Sequence, residues 1–140
     1  MKHWMNETTG YELYFFKKQD VLNFKIDNCY EDINYVIENV FITKKYEFET
    51  DELTFIETLN YDELSYPYQQ TLLLKTDKKT EKNIVRLYKT FDDLCYLLKI
   101  KSEEEILSTY IAVFDFDLNY NISMYKSDIT ILSKSKISKL

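Results

Sequence analysis

From Ala112 to Met124 apolar and polar side chains alternate almost without a break. Ala112, Phe114, Phe116, Leu118, Tyr120, Ile122 and Met124 stand against Asp115, Asp117, Asn119, Asn121 and Ser123. Successive side chains of a β-strand point to opposite faces, so a period of two places the first set on a core and the second in solvent. The stretch predicts one long strand, or two with a turn near Asn119 to Asn121. Clean alternation belongs to antiparallel sheets with one covered face rather than to parallel sheets buried on both.

Other segments repeat the signal. Leu22, Phe24 and Ile26 alternate with Asn23, Lys25 and Asp27, and Tyr11 to Phe16 predicts a strand before them. Leu53 to Leu59 predicts another, Tyr61 to Gln70 reads as a loop, and Ile129 with Ile131 marks a last strand. Thr71 to Thr76 and Ile84 to Lys89 read as a hairpin across the polar stretch Asp77 to Asn83. The period changes at Ile33, where Ile33, Val36, Ile37, Val40 and Phe41 form one face of an amphipathic helix over about 29–44. Asn28 would cap it, Glu31 and Asp32 suit its positive end, and Lys44 and Lys45 its negative end. Thr90 with Asp93 and Ser102 with Glu105 have capping-box spacing and predict one or two short helices over about 91–109.

The expected fold is therefore α+β: a mainly antiparallel sheet with one longer helix and one or two short ones packed on it. A length of 140 residues fits one domain with one core, expected over 1–132, followed by a mobile Ser/Lys tail over 133–140. No run of about 20 apolar residues is present, and Met1 to Glu7 turns polar too early for a signal-peptide core, so a cytoplasmic protein with no membrane contact is expected. Cys29 and Cys95 lack a C-x-x-C partner and read as buried thiols of a reducing compartment.

Composition removes several kinds of chemistry. Catalytic acid-base work often recruits histidine, and the one histidine is His3, beside a terminus that tends to fray. Phosphate-cradling loops need several glycines, and the chain has one, Gly10. No cofactor and no resident metal are expected. Asp115 and Asp117, two apart on a strand, are the alternative: together they could hold Mg²⁺ for an enzyme. The segment also opens like an EF-hand loop, but Tyr120 and Lys126 stand where that loop needs Gly and Glu. Lys126, Lys134, Lys136 and Lys139 form a basic tail, yet a net charge of −6 and a single Arg oppose direct nucleic-acid binding. Ser138-Lys139-Leu140 spells a peroxisomal address, in a stretch already dominated by Ser and Lys.

The most informative feature for function is where the charge lies. Tyr46 to Leu74 contains no Lys or Arg and carries Glu47, Glu49, Asp51, Glu52, Glu57, Asp62 and Glu63, so the excess negative charge of the chain is concentrated there. Tyr61, Tyr66 and Tyr68 are interleaved with these acids, and tyrosine covers much area at little entropic cost in binding sites. Acids around rings suit a basic protein partner, whose encounter the field accelerates. The competing reading has the acids solvating a surface loop while the rings pack inward.

In small size, acidity, AT-rich residue choice and lack of catalytic motifs the chain resembles toxin-immunity proteins, including those of contact-dependent inhibition systems. It also resembles phage-encoded inhibitors of bacterial defence complexes. The segment Leu87-Tyr88-Lys89-Thr90-Phe91-Asp92-Asp93-Leu94-Cys95-Tyr96-Leu97-Leu98, read as a strand entering a short capped helix, is similar to one found in the SUKH immunity superfamily. The resemblance implies a non-catalytic protein that neutralises a cognate toxin, often a nuclease, by occupying its active site or a nearby surface. Nucleases bind polyanions through basic clefts, which an acidic, Tyr-rich segment would fit.

Overall fold

The computed structural model describes residues 7–21, 33–122 and 127–140. Within them the chain runs β1 (Thr8–Lys17), a 3-10 turn (Lys18–Asp20), α1 (Ile33–Asn39), β2 (Lys44–Phe48), β3 (Leu53–Leu59), β4 (Tyr68–Thr76) and α2 (Lys78–Thr90). It continues through β5 (Leu94–Ser102), a 3-10 turn (Glu105–Leu107), β6 (Thr109–Val113), β7 (Asp117–Ile122) and β8 (Ser127–Ser135). The fold is α+β, built on two antiparallel four-stranded sheets, ordered β2-β1-β5-β6 and β3-β4-β8-β7.

Contacts divide the chain into two compact units where one domain over 1–132 had been expected. The first takes residues 1–51 and 93–114, the second 52–92 and 115–140. In the first, β5 pairs with both β1 and β6, and its run Leu94 to Leu98 is buried throughout. The face carrying Phe16, Cys95, Leu97, Ala112 and Phe114 forms a core with Val21 and Val36, the latter from α1. The Cys95 thiol is buried there with the carbonyl oxygens of Asp93 and Phe114 both 3.4 Å away, either of which can accept its hydrogen. Gly10, the only glycine, sits at a register shift between β1 and β5 with a φ of 153°, and a Cβ there would lie 3.3 Å from the Phe48 carbonyl oxygen. A β-bulge with positive φ is a conformation that side-chain-bearing residues rarely adopt.

In the second unit Leu53, Leu72, Leu74, Leu118, Ile129 and Ile131 are buried. Helix α2 packs against β4 and β8, and its Tyr88 stacks on Phe116 with ring centroids 5.6 Å apart. Asp77 caps α2 by accepting from the Thr80 backbone N–H at 2.7 Å, and that bond is the main reason its carboxyl is held below the usual range.

Several expectations are corrected. Residues 77–89 are not a hairpin: the longest helix among the described residues is α2. Glu81, Ile84, Val85 and Tyr88 supply its stripe, and a glutamate at the first position concealed the period. The predicted short helices over about 91–109 are strand β5, a 3-10 turn and β6, because Leu94 to Leu98 is a continuous apolar run of a central strand, which periodicity alone does not separate from a buried helix. Leu87 to Leu98 therefore runs from helix into strand, the reverse of the order on which the SUKH likeness drew. The helix expected over about 29–44 is seen as Ile33–Asn39, with Val40 bridging to Val21 and β2 opening at Lys44; residues 29–32 lie outside the described part. The long alternation breaks at Phe114 to Phe116 rather than near Asn119. The expected tail over 133–140 begins inside β8, where Ser133 and Ser135 are buried. The strand expected over Leu22–Asp27, together with His3, Cys29 and Lys126, lies outside the described residues.

Candidate functional site

The acidic stretch falls partly in each unit. Glu47, Glu49 and Asp51 belong to the first and are exposed, Glu47 on β2 and the others in the turn that follows. Glu47 shares Lys45 with Glu12, at 3.6 Å and 3.2 Å. Tyr46 meets Phe15 edge-on and Phe48 is buried, so here the rings do pack inward.

Glu52, Glu57, Tyr61, Asp62, Glu63, Tyr66 and Tyr68 belong to the second unit. Glu52 is half-buried, and its backbone oxygen accepts from the Lys75 N–H. Glu57 faces inward on β3 and is committed to the protein itself. Its carboxylate accepts from the Gln70 amide at 2.8 Å, the Lys139 backbone N–H at 2.8 Å and the Ser138 hydroxyl. Burial pushes its pKa up, but these donors outweigh burial and hold it below the ordinary carboxylate value. Glu63 pairs with Lys134 at 3.5 Å, and Lys136 lies 5.7 Å from the centroid of the Tyr66 ring. The basic residues of 134–139 thus turn back onto the acidic stretch of the same unit.

What remains outward is the loop between β3 and β4. Tyr61 is 82% exposed, Leu64 91%, and Leu59 and Tyr66 are also exposed, while Tyr68 is half-buried on β4. The backbone around them is ordered by one residue. Asn60 donates its N–H to Pro67 O at 2.8 Å, its carbonyl oxygen accepts from the Glu63 N–H, and its side-chain oxygen accepts from the Asp62 N–H. An Asn side chain bonding the backbone two residues on is a turn-forming device, and it holds the apolar residues outward. Leu59 and Leu64 were missed by a reading that counted only charges and rings. Their signal was an aliphatic residue inside a polar, Pro-containing loop, where no core position was implied.

A second polar cluster lies on the sheet of the first unit. Lys99 on β5 stands opposite Glu12 on β1 and Tyr110 on β6. Its ammonium lies 3.8 Å from Glu12 Oε1, is bonded to Glu105, and sits 5.7 Å from the Tyr110 ring centroid. The Glu105 bond is the main cause that raises its pKa above the usual lysine value. Tyr14 donates to Glu12 at 2.6 Å, and burial followed by that bond raises the phenol. Glu12 is lowered, since the Tyr14 and Lys45 bonds outweigh the opposing effect of burial. Each group is held in its ordinary charge state, the opposite of what a proton-transferring site requires.

A scan against protein-family models, a search of curated proteins and a search of solved structures each find no match. Asp115 stands in the bend between β6 and β7 and Asp117 opens β7, so the two do not share a strand as the alternation had implied. Among the described residues no group of three His, Cys, Asp or Glu is placed to hold a metal ion. No helix among them is long and apolar enough to cross a membrane.

Proposed function

We propose that this chain is a non-catalytic binding protein that captures a basic protein partner through the loop between β3 and β4, and that it serves as an immunity protein neutralising a cognate toxin. The carrying observation is the pair Tyr61 and Leu64, the most exposed ring among the described residues and an aliphatic side chain at 91% exposure, displayed on a turn that Asn60 has already ordered. Ordered apolar residues left in water cost free energy in the monomer and return it when a partner's pocket receives them; pre-ordering the loop lowers the entropic cost of that step. Asp62 and Glu63 lie between the two anchors, Glu63 shared with Lys134, so Asp62 above all draws a basic rim on the partner while the anchors seat.

The partner supporting this reading is the product of a toxin gene adjacent to the one encoding this chain. Binding of that protein, measured by surface plasmon resonance, should lose about 2 kcal/mol with Tyr61→Ala or Leu64→Ala, chiefly through faster dissociation. Asp62→Lys with Glu63→Lys should chiefly slow association and remove its salt dependence. Unchanged kinetics in all of these variants would refute the loop's role. A partner from a host defence complex instead would assign the same loop to a phage-type inhibitor.

A further inference from the structure

The sheet β3-β4-β8-β7 has a second face, on the side away from Leu72, Leu74, Ile129 and Ile131. Ile56, Leu73 and Leu132 lie on it at 45%, 40% and 38% exposure. Its rows follow from the register: Lys75 opposite Asp128, Leu73 opposite Thr130, Thr71 opposite Leu132, and Gln69 opposite Lys134. We infer that this face is a homodimer surface, on which a second copy of the chain docks with its two-fold axis running along the strands between β4 and β8.

That operator has a definite consequence. It sets each β4 residue of one copy above its own register partner on β8 of the other. Leu73 then lies over Thr130 of the second copy and Leu132 over Thr71, large side chains on small ones, twice each. Lys75 lies over Asp128, giving two opposite-charge pairs from one substitution-sensitive row, and neither residue takes part in an ion pair among the described residues of the monomer. An isologous interface must be complementary to itself, and a face whose rows pair Lys with Asp and Leu with Thr meets that condition. Lys75 and Lys134 stand here beside Asp117 and Asp128, with Lys134 also paired to Glu63, so the face carries charges of both signs, unlike the acidic loop. Ile56 falls at the rim opposite Asp117 and contributes least.

Four strands about 4.8 Å apart and four rows about 6.8 Å apart cover roughly 500 Å² of flat face, below the ~800 Å² per partner of a standard interface. The expected dimer is weak, with a Kd on the order of 100 µM. Sedimentation velocity of the full chain from about 5 µM to about 1 mM tests it. Leu73→Lys should leave a monomer throughout, with Leu132→Lys as the second variant should the first lose its far-UV circular dichroism. Lys75→Asp and Asp128→Lys should each weaken the dimer roughly tenfold. Mixing these two variants restores opposite charges across the heterodimer while each homodimer keeps like charges, so the mixture should associate more tightly than either variant alone. A monomer of parent protein at about 1 mM overturns the inference. So does a dimer indifferent to both Leu substitutions, or a mixture no more associated than its parts.

Discussion

Ser133 on β8 donates its hydroxyl to the side-chain oxygen of Gln70 on β4 at 2.9 Å, across two strands whose facing residues are both buried. The amide group of Gln70 meanwhile donates to Glu57 and to Ser135, each at 2.8 Å. A side chain 1% exposed has both its donor hydrogens and its acceptor engaged, which is the condition under which a buried amide is tolerated.

Gln70→Leu keeps the volume and removes all three bonds, leaving Glu57 and Ser133 each short of a partner. Unfolding in urea should show a loss of about 2–4 kcal/mol. Gln70→Glu keeps the shape but brings a second carboxylate against Glu57, so its destabilisation should grow as pH rises from about 4 to 7, where the two groups ionise together. A Gln70→Glu penalty independent of pH would contradict that geometry.

Stability should fall on the acid side for a definable reason. Glu57 and Glu12 are both held below the ordinary value of 4.5, burial working against the bonds that lower them. A carboxyl whose folded pKa lies below its unfolded one adds stability that is fully present above the unfolded value and is lost as pH falls through the folded value. The unfolding free energy should therefore drop as pH goes below about 4.5, and Glu57→Gln should flatten that limb while lowering stability at pH 7. Chemical denaturation at half-unit intervals from pH 3 to 7 reads both effects.

Lys99 and Glu12 are each nearly buried at the side chain, so deleting one partner should hurt more than deleting both. Lys99→Met should cost about 1–3 kcal/mol, since Glu12 keeps Lys45 and Tyr14. The double variant Lys99→Met with Glu12→Leu should regain at least half of that loss. Additive losses in the thermodynamic cycle would show the two residues to be uncoupled.

Glu81 is only 4% exposed, and one of its carboxylate oxygens has no hydrogen-bond partner among the described residues. Glu81→Met occupies a similar volume without that desolvated oxygen and should stabilise the protein by about 1–2 kcal/mol, a gain visible as a higher urea midpoint at unchanged slope. A destabilised Glu81→Met would assign the carboxylate a partner in the folded protein.

The sequence conveyed the sheets far better than the helices, and the residues show why. Strands β1, β3, β4 and β8 announce themselves as short runs rich in aromatic, aliphatic and β-branched residues, even though Ile56, Leu73 and Leu132 among them face outward. The signal fails where burial and polarity part company. Glu81 sits in the apolar stripe of α2, while Ser133 and Ser135 are polar residues buried by Gln70 and by the turn at Ile137, whose carbonyl accepts from Ser135. Charge counting located the acidic stretch but gave every acid the same weight. Which are occupied, as Glu57 and Glu63 are, depends on residues 134–139, more than seventy positions later in the chain. The outward setting of Tyr61 and Leu64 rests on the bonds of Asn60, which no periodicity encodes.

Each compact unit is assembled from two stretches of chain with the other unit's residues threaded between them, and this bears on biosynthesis. β1 waits for β5, with Thr8 opposite Ser102, and β4 waits for β8, with Tyr68 opposite Ser135. At a synthesis rate of about 5–20 residues per second, the nascent chain spends on the order of seconds with β1 and β2 emerged and their central neighbour not yet made. During that interval the long side of β1 is an open strand edge carrying Leu13, Phe15 and Phe16, the kind of template on which chains misassociate. A cut between Asp92 and Asp93 leaves β1 to β4 on one fragment and β5 to β8 on the other, so it divides both sheets at once, and the two halves would become native only together.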